Sequence, residues 1–159
     1  MPPVPKLIAH RNEALRYPEN SLPAIAAALQ AGARYIEIDV QMSADGVPVL
    51  FHDGDLQRLC AAPGAIADYR PPQLRLSQLD RLRAWEPERF GERFRDVRLP
   101  TLDAAATLML AWPRASLFVE VKTKAFAAFD RETVFRRVAA ALAPIGARAV
   151  LISFDLAFL

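Results

Sequence analysis

Short apolar runs alternate along the chain with amphipathic stretches, and most of the apolar runs have the length of buried β-strands. The strand candidates are Lys6–His10, Tyr35–Val40, Val47–His52, Ser116–Lys122 and Ala149–Ser153. In Tyr35–Val40 and Ser116–Lys122 apolar and polar residues alternate with a period of two, which is typical of a strand with two different faces. Helical stretches lie between most of the runs, so the pattern predicts an α/β fold with a largely parallel sheet.

Four stretches carry helix signals at their ends. The predicted helices run from about Leu22 to Ala31, from Ser77 through Trp85, from Leu102 to about Trp112, and from Asp130 to Ala143. Asn20 or Ser21 caps the first of these helices and Gly32 ends it. Prolines interrupt the pattern between residues 54 and 100. We therefore expect one domain over residues 1–159, with an irregular insertion at about 54–100.

The dipeptide Asp45-Gly46 lies between two strand candidates and is a strong signal for a β-hairpin. If these two residues form the turn, Ala44 opposes Val47 and Asp39 opposes His52. Directly opposed residues share one face of a sheet, with Cβ atoms about 5 Å apart. The hairpin therefore predicts that His52 lies beside Asp39.

The length of 159 residues fits one ordinary domain, since domains have ~100–200 residues. A complete eight-stranded βα barrel needs about 250 residues, so we expect any such barrel to be incomplete here. The net charge of +2 is too small to indicate nucleic-acid binding. Basic residues between Arg81 and Arg98 are interleaved with acidic ones, which predicts a solvated mixed-charge surface. Those acidic residues are Asp80, Glu86, Glu88, Glu92 and Asp96.

No apolar run reaches the ~18–20 residues of a membrane span, and the N-terminus does not have the pattern of a signal peptide. The single cysteine, Cys60, excludes an intrachain disulfide and indicates a reducing compartment. We expect a cytoplasmic location and assign no chemistry to Cys60.

Charged side chains share one face on each of two strand candidates. Glu37 and Asp39 point together from the first, and Glu120 and Lys122 point together from the second. Burying neighbouring carboxylates is unfavourable without a cation, because like charges raise each other's pKa. A hard divalent metal on Glu37, Asp39 and Glu120 would satisfy them, and an all-oxygen set favours Ca²⁺ or Mg²⁺. The alternative is an amphipathic strand whose polar face is simply solvated.

Both histidines of the chain lie at the ends of strand candidates, His10 beside Arg11 and His52 beside Asp53. A divalent metal, two histidines and the cations Arg11 and Lys122 suit an anionic phosphate substrate. The histidines would move protons while the cations stabilise negative charge. Taken alone, Arg11 is better explained as an ordinary loop arginine.

An ordered series of motifs resembles the glycerophosphodiester phosphodiesterase family. The motifs are His10-Arg11, Pro18-Glu19-Asn20-Ser21, Glu37-Ile38-Asp39-Val40, Asp45-Gly46, His52-Asp53, Leu99-Pro100-Thr101-Leu102, Glu120-Val121-Lys122 and Ser153-Phe154. The resemblance implies a TIM-type barrel that hydrolyses glycerophosphodiesters to an alcohol and glycerol 3-phosphate.

The resemblance also implies roles for single residues. His10 and His52 would be general acid and base, and Glu37, Asp39 and Glu120 would bind a divalent metal. The phosphate-binding residues would be Arg11 and Lys122. The resemblance implies only loop and cap roles for Glu19 and Asn20. It also implies that Asp53 orients His52. In the family's proposed mechanism the glycerol hydroxyl of the substrate attacks phosphorus, and water opens the resulting cyclic intermediate.

The chain departs from the family pattern at two places. Asn12 stands where the family usually has glycine, and asparagine tolerates a left-handed backbone better than most residues. Only five strand candidates are present where the barrel needs eight. Open barrel edges would favour self-association.

Three interpretations stay open. The first is a glycerophosphodiester phosphodiesterase with a small-molecule substrate, a divalent metal and neither nucleic acid nor membrane span. The second is a related phosphodiesterase of the phosphatidylinositol-specific phospholipase or sphingomyelinase D type. The third is a non-catalytic fragment that retains the metal site.

Overall fold

The computed structural model describes residues 5–43, 45–62 and 83–159, and they contain one four-stranded mixed sheet of order β2-β1-β3-β4. The strands are β1 (Tyr35–Met42), β2 (Pro48–Leu50), β3 (Ser116–Val121) and β4 (Ala149–Ile152). β1, β3 and β4 run parallel, whereas β2 pairs antiparallel with β1. The predicted α/β class is confirmed, and the sheet is consistent with part of an α/β barrel.

The described helices are α1 (Leu22–Gln30), α2 (Gln57–Cys60), α3 (Pro87–Phe90), α4 (Leu102–Met109) and α5 (Arg131–Leu142). Two 3₁₀ turns follow β3 and α5, at Thr123–Ala127 and Gly146–Arg148. Among the described residues, no helix combines the length and apolar character needed to cross a membrane.

One face of the sheet packs against α1, α4 and α5. Ile36, Ile38 and Val40 of β1 are fully buried there, and alternate residues of β3 join them in the same apolar cluster. Burial of one such side chain stabilises the fold by roughly 1.5–3 kcal/mol. The other residues of the alternation, including Glu37 and Asp39, therefore point to the opposite face.

Helix caps follow the predicted pattern at α1 and α5. Ser21 Oγ accepts the Ala24 N–H at 3.3 Å, and Asp130 Oδ1 accepts the Thr133 N–H at 2.8 Å. α4 ends at Met109 instead of about Trp112, because the chain then tightens into turns with i→i+3 bonds, such as Trp112 N–H to Met109 O at 3.1 Å.

The first strand candidate, Lys6–His10, is wrong as a buried strand. Only Ala9 pairs with β1, where its N–H donates to Tyr35 O at 2.9 Å and its carbonyl accepts the Glu37 N–H at 3.0 Å. Leu7 is 83% exposed, so its side chain does not pack in the core.

The hairpin register is one residue away from the prediction. Val40 pairs with Leu50, and the Phe51 N–H donates to Asp39 O at 3.0 Å, so Phe51 opposes Asp39 instead of His52. The loop has three residues, closed by Ser43 and Val47, and Gly46 takes the left-handed conformation that such loops require, with φ of 78°. Ala44, in that loop, lies outside the described residues.

Within the expected insertion, the residues around Trp85 come back into contact with α2. Leu59 O accepts the N–H groups of Trp85 and Glu86 at 3.0 and 3.1 Å, and Ala84 pairs with Val97. The start of the helix predicted from Ser77 lies outside the described residues, but its end at Trp85 is wrong, since residues 83–85 form no helix. Glu86 is only 1% exposed, which also corrects its place on the predicted solvated surface.

Candidate active site

Three carboxylates meet on the polar face of the sheet. Asp39 on β1 lies in register with Glu120 on β3, and Glu37 lies two residues before Asp39. One oxygen from each of the three lies within 4.8 Å of the others. Glu37 is 5% exposed and Asp39 is fully buried. The period-two pattern therefore brings together the residues predicted to bind metal, while the metal assignment itself stays a prediction.

The electrostatics of this carboxylate cluster (Glu37, Asp39 and Glu120) are only partly balanced. Burial raises the pKa of Glu37, and the charges of Asp39 and Glu120 raise it further. Lys122 Nζ lies 2.8 Å from Asp39 Oδ1 and 2.6 Å from Glu120 Oε1. Although burial lowers the pKa of Lys122, these two carboxylates outweigh it, so its pKa is raised.

Glu37 Oε1 is buried and has no hydrogen-bond partner among the described residues. A buried oxygen without a donor is unfavourable unless a cation or water meets it. The cluster consists of carboxylate oxygens, which are the donors that Ca²⁺ and Mg²⁺ prefer. On both grounds the cluster fits a hard divalent cation.

The loop before α1 brings His10 and Arg11 to the carboxylate cluster. The Arg11 N–H donates to Glu37 Oε2 at 2.9 Å, and Arg11 Nε lies 3.4 Å from Asp39 Oδ2. His10 Nε2 lies 3.8 Å from Glu37 Oε2, on a largely exposed side chain. Arg11 and Asn12 both have positive φ, 51° and 72°, which supports the expectation that Asn12 keeps the turn.

Asn20 orients Asp39 from the same loop. Its Nδ2 donates to Asp39 Oδ2 at 2.8 Å, and its Oδ1 accepts the Asp39 N–H at 3.0 Å. The residue is 1% exposed and has a positive φ of 52°. The sequence assigned Asn20 only a loop and cap role. The cap belongs to Ser21, and Asn20 holds the carboxylate cluster instead.

His52 lies on the loop after β2, where two side chains hold it. Its Nδ1 lies 2.8 Å from Asp53 Oδ1, as the predicted orienting role requires. Gln41 Nε2 donates to the carbonyl oxygens of Phe51, His52 and Asp53 at 3.1, 3.1 and 2.7 Å. No pattern in the sequence indicated that Gln41 anchors this loop.

A cleft of about 430 Å³ lies between His52 and one member of the carboxylate cluster, Glu120. His52, Asp53, Glu120 and Lys122 line it, together with Lys124 and Phe154. His52 thus shares a cleft with Glu120 and Lys122, although the predicted hairpin register that was to place it opposite Asp39 is wrong.

A second group of charged residues lies behind His52, and sequence reasoning missed it. Arg58 binds both Asp53 and Glu19, and Glu86 accepts the Glu19 N–H at 2.8 Å while pairing with Arg89. Burial raises the pKa of Asp53, but hydrogen bonds from Arg58 and His52 outweigh it and hold that pKa below its usual range.

The sequence carried one partial signal for this group, the Pro18-Glu19-Asn20-Ser21 motif, and none for Arg58. Cys60 lies close by and takes no part, because burial raises the pKa of its thiol to about 12. A thiol with a raised pKa is a poor nucleophile at neutral pH, and the absence of Cys60 chemistry stays a prediction.

Comparison with known proteins gives one consistent result. Residues 10–159 match the model of the glycerophosphoryl diester phosphodiesterase family. Glycerophosphodiester phosphodiesterase 1 of Rattus norvegicus is 36% identical over 115 residues, which cover 72% of this chain and 33% of the relative. A probable glycerophosphodiester phosphodiesterase 1 of Mycobacterium tuberculosis is 36% identical over 120 residues, 74% of this chain and 43% of the relative.

Solved structures agree with these relatives. A glycerophosphodiester phosphodiesterase from Agrobacterium tumefaciens has a TM-score of 0.76 at 30% identity, covering 98% of this chain and 60% of that one. A phosphodiesterase from Oleispira antarctica, solved with the product sn-glycerol-3-phosphate, has a TM-score of 0.79 at 28% identity, covering 96% and 59%. The chain therefore spans between about a third and three fifths of the length of these proteins.

Proposed function

The chain belongs to the glycerophosphoryl diester phosphodiesterase family, and we propose that its cleft hydrolyses glycerophosphodiesters to an alcohol and glycerol 3-phosphate. The observation that carries the proposal is the buried carboxylate cluster with His10 in contact and His52 on the same cleft. These are the groups that metal-assisted phosphodiester hydrolysis with proton transfer requires.

Glu37, Asp39 and Glu120 would hold a divalent cation, Ca²⁺ or Mg²⁺. When bound, the cation would neutralise charge that develops on the phosphoryl oxygens. Asn20 fixes the carboxylate of Asp39 from one side, and Lys122 contacts it from the other. The protein therefore orients at least one of these carboxylates before any ligand arrives.

The two histidines exchange protons with the substrate in this proposal. An ionised carboxylate can only accept a hydrogen bond, so the contact with Asp53 places the proton of His52 on Nδ1. Nε2 of neutral His52 is then free to take a proton. One histidine removes a proton from the attacking oxygen, and the other donates a proton to the oxygen of the leaving alcohol.

Lys122 and Arg11 would contact the phosphate. Both cations already lie against the carboxylate cluster, so a phosphate bound there would meet positive charge.

For the fold, we propose that the sheet is part of a TIM-type barrel, because β1, β3 and β4 are parallel and three helices cover one face. The single cysteine remains the basis for expecting a cytoplasmic location.

The test is release of glycerol 3-phosphate from glycerophosphocholine by the chain, with Ca²⁺, with Mg²⁺ and with a chelator. We expect release with one or both metals and none with the chelator. Asp39→Asn is the matched control, because it removes one charge of the carboxylate cluster and keeps the shape of the side chain. Metal binding without any turnover would instead favour the non-catalytic interpretation.

A further inference from the structure

Arg58 on α2 connects the histidine side of the cleft with the carboxylate side. Its Nε and Nη2 donate to the two carboxylate oxygens of Asp53 at 2.7 and 2.9 Å. Its Nη1 and Nη2 donate to the two oxygens of Glu19 at 3.0 and 2.7 Å. Only a planar guanidinium can bind two carboxylates side by side in this way, and lysine cannot replace it.

On one side, Arg58 controls His52 through Asp53. Both oxygens of Asp53 are held, so the plane of the carboxylate is set, and Oδ1 remains 2.8 Å from His52 Nδ1. The orientation of the imidazole and the nitrogen that carries its proton both depend on that carboxylate. The guanidinium itself does not line the cleft.

On the other side, Arg58 acts through Glu19. This residue is 6% exposed, and its backbone N–H is bound by the buried Glu86. Glu19 directly precedes Asn20, whose side chain binds both the carboxylate and the N–H of Asp39. A movement of Glu19 would therefore move the residue that orients Asp39.

Glu19, His52 and Asp53 also lie within 4.8 Å of one another and could by distance alone hold a metal. Four hydrogen bonds from Arg58 already satisfy their two carboxylates. The guanidinium of Arg58 thus supplies the positive charge that a metal would supply to these carboxylates.

We propose that Arg58 is a positioning residue that fixes His52 relative to Asp39, through Asp53 on one side and Glu19 on the other. Its effect on turnover rests on the proposed function, whereas its effect on His52 does not. A misplacement of about 1 Å in catalytic geometry lowers the rate about 100-fold, so the effect should be large.

The first experiment measures His52 directly and needs no activity. The chain has two histidines, so ¹⁵N NMR of the imidazole rings gives two sets of signals, and His10→Ala assigns them. In the unchanged chain we expect His52 to carry its proton on Nδ1. In Arg58→Lys we expect a mixture of both tautomers at His52 and unchanged signals for His10.

Arg131→Lys is the matched control, because Arg131 binds Asp155 through the same pair of nitrogens at 3.0 and 2.7 Å on the surface. It should leave both histidines unchanged. Asp53→Asn is the second variant and should shift the His52 tautomer as Arg58→Lys does. Unchanged His52 signals in both variants would overturn the proposal.

The second experiment is kinetic. Arg58→Lys should lower kcat about 100-fold while KM changes less than about threefold, because Arg58 positions a group that acts in the transition state. Arg131→Lys should keep both constants. Equal changes in kcat for Arg58→Lys and Arg131→Lys would contradict a positioning role of Arg58. An inactive unchanged chain would refute the proposed function, and the NMR result would still decide the role of Arg58.

Discussion

The carboxylate cluster and the Arg58 group each place acidic side chains beside a histidine, but they are neutralised differently. In the Arg58 group (Glu19, Asp53 and Arg58) one guanidinium meets all four carboxylate oxygens. In the carboxylate cluster, Lys122 meets one oxygen of Asp39 and one of Glu120, and Glu37 Oε1 has no partner among the described residues. Proximity of carboxylates therefore does not by itself indicate a metal site. The two groups differ in how many carboxylate oxygens lack a partner among the described residues.

The largest expected effect concerns the histidines, one beside each group. His10→Ala and His52→Ala should each lower turnover of glycerophosphocholine by about 10²–10⁴-fold, because each removes a proton-transfer group. Metal affinity, measured by calorimetry, should stay within a few-fold of the unchanged chain. Near-normal turnover in either variant would show that the acid and base are assigned wrongly.

The next effect separates the two groups by metal affinity. Asp39→Asn should weaken Ca²⁺ or Mg²⁺ binding by at least about 100-fold, because loss of a ligand exceeds the 10–100-fold effect of outer partners. Glu19→Gln should change the affinity only a few-fold, since Arg58 already neutralises that carboxylate. Isothermal titration of both variants makes the comparison. A larger loss in Glu19→Gln would place the metal in the Arg58 group.

Stability without metal should change in opposite directions. Glu37→Gln removes a buried charge that faces two others, so it should raise the free energy of unfolding by roughly 0.5–2 kcal/mol. Glu19→Gln weakens the binding of Arg58 and should lower that free energy by about 1–3 kcal/mol. Urea unfolding in the presence of a chelator measures both changes. The same sign for both variants would contradict the difference in neutralisation.

The smallest effect is a pH dependence at Asp53. Its pKa is lowered in the folded chain, so its contribution is present above the ordinary value of about 3.9 and is lost as the pH falls through the folded value. Asp53→Asn should therefore be less stable than the unchanged chain at pH 6, by less than about 1 kcal/mol because the pair is partly solvated.

The difference in stability between Asp53→Asn and the unchanged chain should be smaller at pH 3 than at pH 6. Urea unfolding at the two pH values, again with a chelator, tests this. A difference that grows in acid would show that Arg58 does not stabilise the ionised form of Asp53.

The local alternation of residues was enough to predict the carboxylate cluster. Glu37, Asp39 and Glu120 share a face because residues two apart in a strand always do, and the parallel pairing of β1 and β3 then brings the two strands into register. The family was confirmed as well, since residues 10–159 match its model.

The hairpin register could not be predicted from the Asp45-Gly46 signal alone. A dipeptide of this kind suits both a two-residue and a three-residue loop, and the two differ by one position in every pair. Ser43 decides between them, because its hydroxyl accepts the Val47 N–H at 2.8 Å and favours the longer loop. Phe51 therefore takes the place opposite Asp39 that was expected for His52.

The place of Glu19 in the Arg58 group was beyond any local pattern, because Glu19 is far in the chain from Arg58 and Glu86. Glu19 and Arg58 are separated by 39 residues, and Glu19 and Glu86 by 67. The charge pattern around Glu86 indicated only a solvated surface, and burial of that side chain depends on Arg89 and the Glu19 backbone. Such pairs form only in the tertiary structure, so they produce no periodic pattern in the sequence.

The two hydrogen bonds that Leu59 O accepts from Trp85 and Glu86 bring both ends of the intervening segment together. A segment closed at its base can change length at small cost, about 0.6 kcal/mol for each doubling. A change in the length of this segment should therefore leave Arg58 and Glu86 in their places. For protein engineering, the position between Cys60 and Ala84 is where a second domain could be inserted without moving His52.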